Sequence, residues 1–172
     1  MSNSHLGAMV DIETLSTRPN AVIVSIGACK YDLETSKTYD DFYVNIDPRD
    51  SKKYGLHIDP NTIEWWKKQD SNVFKQWQNG IPLLEAMTKF LNYYDKNLAF
   101  TSWGLDFDSS IISSSLYSLN MTPPWIYYKS RCARTIAEIE GIKIQRSKNH
   151  HNALQDCKDQ CNVLFKIFGD NK

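Results

Sequence analysis

Short apolar runs separated by turn-forming residues mark the first third of the chain. These runs cover residues 9–13, 21–31 and 41–46, and the last one stops at Asp47 and Pro48. The second and third runs contain the β-branched and aromatic residues that favour strands. Because only short turns join the three runs, we predict three antiparallel strands connected as a meander.

The spacing of apolar residues becomes helical after the third run. Residues 62–69 begin with a polar residue and contain two tryptophans, and apolar side chains recur three or four positions apart after Pro82. Strand-like and helical segments then alternate to the end of the chain. The predicted elements are strands at 98–103 and 125–128 and helices at 62–69, 83–94, 108–119, 132–139 and 152–168. This order predicts an α/β fold, with a mixed sheet of five or six strands, an antiparallel three-strand start and helices on both faces.

Length and composition fit one globular unit. The chain has 172 residues, 41% of them hydrophobic, and a formal net charge of zero. We expect a single domain over 9–172, because a chain of this size buries a sizeable core. Residues 1–8 are mostly polar and precede a second methionine, so we interpret them as an added leader or a disordered tail.

Charge and hydropathy narrow the classes of partner. A neutral total leaves no overall basic field for nucleic acid, so any site for a polyanion has to be local. No apolar run approaches the roughly 20 residues of a membrane span. We therefore predict a cytoplasmic protein without a membrane partner.

The cysteines give only a weak indication of a metal site. Four cysteines without the density of a secreted scaffold indicate reduced thiols. Cys157 and Cys161 lie four positions apart near His150 and His151, so zinc is an alternative. We consider it the weaker one, because this spacing matches no common zinc motif.

Two acids stand one residue apart inside the first apolar run. In a strand, Asp11 and Glu13 point to the same face while Val10 and Ile12 point to the other. Adjacent carboxylates repel, and one of them takes up a proton unless a cation or hydrogen-bond donors hold both ionised. The pair therefore indicates a metal site.

Further acids fall at two other junctions of the chain. Asp106 and Asp108 flank Phe107 where a strand passes into a helix, and His151 stands five residues before Asp156 at the start of the last helix. A single acid at such a position is often only a favourable charge at a helix N-terminus. The occurrence of all three groups in one chain is more specific.

The three groups together resemble the motifs of the DEDDh 3′-to-5′ exonucleases of the ribonuclease H-like superfamily. The matching motifs are D-I-E-T from Asp11, G-L-D-F-D ending at Asp108 and H-N-A-L-Q-D from His151 to Asp156. Residues 62–69 and 131–135 make the chain most similar to the RNase AS and phage DexA-type branch. The resemblance implies a ribonuclease H-like fold, two Mg²⁺ or Mn²⁺ ions held by four acids, and a possible homodimer.

The residue types suit this chemistry. Hydrolysis of a phosphodiester by two metal ions needs hard oxygen ligands, and Asp11, Glu13, Asp108 and Asp156 supply them. Asp106 is an alternative to Asp108, although the family pattern of Phe followed by Asp favours Asp108.

A histidine completes the predicted chemistry. His151 has the role of a general base that removes a proton from the attacking water. His150 is its rival, although the spacing to Ala153 and Asp156 favours His151.

Several other residues are candidates for binding the substrate. The resemblance implies that Leu15 wedges against the terminal base, although a simple core position is equally consistent with the sequence. Aromatic rings stack on bases, and basic side chains bind phosphates. The predicted substrate-binding residues are Thr14, Leu15, Glu64, Trp65, Trp66, Arg134 and Arg146. Adjacent helical residues point in different directions, so we expect one tryptophan to be part of the core.

We therefore predict a metal-dependent 3′-to-5′ exonuclease that acts on single-stranded RNA or DNA or on short oligonucleotides and releases nucleoside 5′-monophosphates. The alternative is a catalytically silent nucleic-acid-binding or adaptor domain on the same fold. A complete set of four acids and a histidine favours the enzyme.

Overall fold

The computed structural model describes residues 5–69, 77, 79–148 and 151–169. Five strands form one mixed sheet in the order β3-β2-β1-β4-β5. The strands are β1 (Leu6–Thr14), β2 (Ile23–Asp32), β3 (Lys37–Asn45), β4 (Ala99–Ser102) and β5 (Arg131–Cys132). β2 runs antiparallel to both β1 and β3, whereas β4 is parallel to β1 and β5 is parallel to β4.

Six helices accompany the sheet in the described residues. They are α1 (Pro48–Lys52), α2 (Pro60–Lys67), α3 (Leu83–Tyr93), α4 (Leu105–Ser118), α5 (Ala133–Ile139) and α6 (Ala153–Gly169). One core packs α3 and α4 against the face of β1 that carries Val10 and Ile12. A second core, on the opposite face of the sheet, contains Met9 together with apolar residues of α5 and α6. The predicted α/β class, with a mixed sheet and helices on both faces, is confirmed.

Two shifted boundaries and one unpredicted helix have clear physical reasons. β1 begins at Leu6 rather than at Met9, because residues before Met9 still pair with β2. Helix α4 begins at Leu105, since the carbonyl of Gly104 already accepts from the backbone N–H of Phe107 and Asp108. Helix α1 was not predicted, because it has only five residues.

The predicted strand at 125–128 is wrong. Residues Tyr127–Lys129 form a 3-10 turn, and the last strand of the sheet is the two-residue β5. The aromatic residues that suggested a strand have another role, because Trp125 packs its ring against Phe100 with centroids 4.6 Å apart.

None of the helices in the described part of the chain is both long and apolar enough to span a membrane.

Candidate active site

The alternation of β1 places the first two acids side by side. Asp11 and Glu13 point to the same face as Met9, away from the core that buries Val10 and Ile12. Both acids are partly buried near the carboxyl end of the strand. Because β4 is parallel to β1, the carboxyl ends of both strands meet at this edge of the sheet.

The loop after β4 adds the third acid. Asp108 lies in the first turn of α4, is only 4% exposed and accepts a hydrogen bond from the Gly104 backbone N–H at 3.4 Å. Asp106 lies on the same turn but is exposed. The structure therefore brings Asp108, and not Asp106, to the acids of β1.

Helix α6 adds the fourth acid, and the turn just before this helix adds the histidine. Asp156 is 6% exposed, and its Oδ2 accepts from the backbone N–H of His151 at 3.1 Å. Its Oδ1 is buried without a hydrogen-bond partner among the described residues. This carboxylate oxygen is therefore available as a ligand.

These residues line one cavity of about 390 Å³, which also includes His151. One carboxylate oxygen from each of Asp11, Glu13 and Asp156 lies within 4.8 Å of the others. Asp108 lines the same cavity. Hard oxygen donors at this spacing are suited to a small divalent cation.

Burial and mutual repulsion disfavour the ionised forms of these acids. Burial raises the pKa of Glu13 to about 8, and the charges of Asp156 and Asp108 contribute to this rise. Burial also raises the pKa of Asp108 to about 7. The pKa values of Asp11 and Asp156 are raised as well, chiefly by burial. A cation in the cavity would reverse this effect.

The imidazole of His151 is packed between the cavity and two tryptophans. Its ring centroid lies 5.3 Å from that of Trp65 and 5.5 Å from that of Trp66, with the rings nearly perpendicular. The backbone of His151 has a φ of 71°, in the left-handed region. His150, the predicted rival, lies outside the described residues.

The residues predicted to bind the substrate fall into two groups. Trp66 is 2% exposed, and its indole N–H donates to the backbone carbonyl of Thr14 at 2.9 Å. Leu15 is 4% exposed and belongs to the core, at the wall of a different cavity. Glu64 is exposed and pairs with Lys67. By contrast, Trp65 is 45% exposed beside His151.

Two predicted arginines do reach the acids. Arg134 on α5 and Arg146, in the segment before α6, both line the acid cavity. The positive charge of Arg146 opposes the rise in the pKa of Glu13 and Asp156. The zinc alternative gains no support, because no group of three potential ligands in the described residues contains a cysteine.

Sequence reasoning missed two residues that shape the acid cavity. Gln160, one turn after Asp156, donates from Nε2 to Oδ1 of Asp11 at 2.8 Å and is 4% exposed. Gly27 lies opposite Asp11 in the sheet, where a Cβ atom would stand 2.2 Å from backbone atoms of Ala153 and Leu154. Its lack of a side chain lets α6 approach the sheet. A glycine in a strand can indicate such a contact, but the sequence does not identify the partner.

The sequence comparisons agree with this geometry. Residues 7–168 match the family described as the 3′-5′ exoribonuclease Rv2179c-like domain. Among curated proteins, none matches the chain.

Several solved nuclease structures have a similar fold. The nuclease domain of 3′hExo, a DEDDh family member bound to rAMP, is 14% identical with a TM-score of 0.66, covering 97% of this chain and 93% of that one. Cell-death related nuclease 4 (CRN-4) is 13% identical with a TM-score of 0.66, covering 97% of this chain and 64% of that one. E. coli ExoI with single-stranded DNA, in a zinc-bound form, is 14% identical with a TM-score of 0.72, covering 96% of this chain.

The chain spans 41% of the length of ExoI, and at these identities the likeness establishes the fold alone.

Proposed function

Because the chain belongs to the family of Rv2179c-like 3′-5′ exoribonuclease domains, we propose that it is a metal-dependent exonuclease that shortens single-stranded nucleic acid and short oligonucleotides from the 3′ end. The products are nucleoside 5′-monophosphates. The family description favours RNA over DNA as the substrate.

The observation that carries this proposal is the convergence of four acids and one histidine from three distant parts of the chain on a single cavity. Such a cluster is unfavourable without a counter-charge, as the raised pKa values of Glu13 and Asp108 indicate. A structural domain gains nothing from an unpaired acid cluster, whereas a metal-dependent hydrolase requires one.

The donor set fits Mg²⁺ or Mn²⁺. Asp11, Glu13, Asp108 and Asp156 would hold the ions. Oδ1 of Asp156 supports this assignment, because it is buried and accepts no hydrogen bond from the residues that the structure describes. Two bound cations would supply a polarised water and stabilise the leaving 3′ oxygen of an in-line displacement. Gln160 keeps one oxygen of Asp11 oriented through its hydrogen bond.

His151 is the proposed general base, with a ring nitrogen that accepts the proton of the attacking water. The two adjacent tryptophan rings pack against its imidazole on the side away from the cavity, and its backbone N–H donates to Asp156. The base and the proposed metal ligand are therefore held in a fixed relation to each other.

Substrate contacts follow from exposure and charge. Arg146 and Arg134 are proposed to bind phosphate groups, because they bring positive charge to the cavity. Trp65 is the best candidate for stacking on a base, since its ring is partly exposed beside His151. Contacts by Thr14, Leu15, Glu64 and Trp66 have less support. Three of these residues are buried, and the fourth, Glu64, is paired with Lys67.

The proposal is tested by incubating 5′-labelled single-stranded RNA and DNA of the same sequence with Mg²⁺, Mn²⁺ or EDTA. We expect a ladder of products shortened from the 3′ end, faster for RNA, that EDTA abolishes. Asp108→Asn should remove this activity. Asp106→Asn is the matched control, since Asp106 lies on the same turn but is exposed.

Two results would count against the enzyme. Labelled RNA that binds but stays intact with either metal would favour the silent binding domain. If Asp108→Asn is as active as the wild type, the acid cavity is not the site of catalysis.

A further inference from the structure

The segment of residues 145–148, which we call the Arg146 segment, is tied to α6 on both sides of its arginine. The backbone N–H of Ser147 donates to Oδ2 of Asp159 at 2.7 Å. On the other side, Nζ of Lys166 donates to Oε1 of Gln145 at 3.3 Å. Arg146 itself is exposed but lines the acid cavity.

Asp159 is built into α6 as a fixed acceptor. Asp159 is only 6% exposed, and its second carboxylate oxygen, Oδ1, accepts from Nε2 of Gln155 at 3.0 Å. Gln155 lies in the first turn of the helix, where its backbone N–H donates to Oδ1 of Asn152 at 3.0 Å. Both carboxylate oxygens are therefore engaged, and one of them holds the Arg146 segment.

An acid at this position has a cost for the site. The charge of Asp159 is one of the causes that raise the pKa of Asp156, whereas the charge of Arg146 opposes that rise. A buried charge so close to the proposed metal ligands needs a compensating role. The Ser147 bond suggests that role, since it fixes the residue next to Arg146.

We propose that Asp159 is a positioning residue that holds the Arg146 segment against α6 and so keeps the guanidinium of Arg146 in the acid cavity, where it binds a substrate phosphate. This inference rests on the proposed function. It assigns Asp159 no direct contact with the substrate or with a metal.

The kinetic test uses four proteins: wild type, Asp159→Ala, Arg146→Ala and the double variant. Loss of a charge-assisted contact is expected to raise KM for short RNA about tenfold in Asp159→Ala, with kcat nearly unchanged. In the Arg146→Ala background, the same substitution should have no further effect on KM. Such non-additivity is specific to residues that act through each other.

A second measurement does not depend on activity. Amide hydrogen exchange at Ser147 reports on its bond to Asp159, and we expect much faster exchange in Asp159→Ala. Asp159→Asn should largely retain slow exchange and the wild-type KM, because its carboxamide oxygen still accepts from Ser147. Asn162→Ala, at an exposed position two residues after Gln160 on the same helix, is the control and should change neither quantity.

The outcomes are separable. If wild type shortens no RNA, the proposed function fails, and exchange at Ser147 still tests the anchor. If Asp159→Ala raises KM equally with and without Arg146, or leaves exchange at Ser147 unchanged, the positioning role of Asp159 is wrong.

Discussion

Replacing Asp108 with asparagine should stabilise the metal-free protein at mildly alkaline pH while abolishing its activity. The folded state binds the proton of Asp108 more tightly than the unfolded chain does, because burial raises its pKa from the usual 3.8 to about 7. Between these values the folded protein keeps the proton and the unfolded chain loses it. The free energy of unfolding of the wild type therefore falls as the pH rises through this window.

The magnitude follows from the pKa. Each pH unit in the window costs up to about 1.4 kcal/mol, so the full rise to a pKa of about 7 corresponds to about 4 kcal/mol. Asp108 is only 4% exposed, so solvent screens its charge little. Asparagine does not titrate, and its oxygen can still accept from Gly104. The charge of Asp108 raises the pKa of Glu13, so removal of that charge also makes ionisation of Glu13 less unfavourable.

Urea unfolding in EDTA at about pH 5 and about pH 8 measures the effect, and the gain of Asp108→Asn over wild type should grow by roughly 2 to 3 kcal/mol between them. Asp106→Asn, which alters an exposed acid on the same turn, should show no such growth. A pH-independent gain, or the same growth in both variants, would refute the assignment of an electrostatically unfavourable acid cavity.

Three further predictions concern the neighbours of the acids. His151→Ala should lower kcat by about 10² to 10⁴-fold while Mn²⁺ still raises the melting temperature; loss of that Mn²⁺ effect would instead make His151 a ligand. Trp65→Ala should raise KM by the equivalent of about 1 to 3 kcal/mol per stacked base and leave the melting temperature unchanged. Trp66→Ala should instead lower the free energy of unfolding by about 3 to 5 kcal/mol. Equal effects of the two substitutions on KM would contradict the assignment of Trp65 to base stacking and of Trp66 to the core. Gln160→Ala should weaken Mn²⁺ binding by about 10 to 100-fold, measured by calorimetry without substrate. An unchanged affinity would show that the hydrogen bond from Gln160 to Asp11 does not contribute to metal binding.

The sequence predicts those parts of the fold whose signal is local. The apolar runs of β1 and β2 and the last helix have clear periodicity, and the predicted 3′-to-5′ exonuclease family is confirmed by the family match over residues 7–168. The two-residue strand β5 carries no signal of its own, since it exists only through pairing with β4. Tyr127 and Tyr128 are residue types that favour strands, but in the structure they are exposed and belong to a 3-10 turn.

The candidate site shows the same division. The acids are recognisable because their spacing along β1 and around the two helix starts is local. The bond of Gln160 to Asp11 and that of Ser147 to Asp159 join groups that only the folded chain brings together. Leu15 is a residue whose role the sequence alone does not decide. Its position is consistent with either a base contact or the core, and the structure places it in the core.

Gly27 has a consequence for reading variation in this chain. A substituted residue there would collide with the backbone where α6 begins, because a Cβ atom would stand 2.2 Å from Ala153 and Leu154. The displaced helix would carry Asp156 with it, although Gly27 itself does not line the cavity. A missense change at this glycine should therefore have the phenotype of a catalytic null allele, and distance from the catalytic carboxylates would be a misleading guide to its severity.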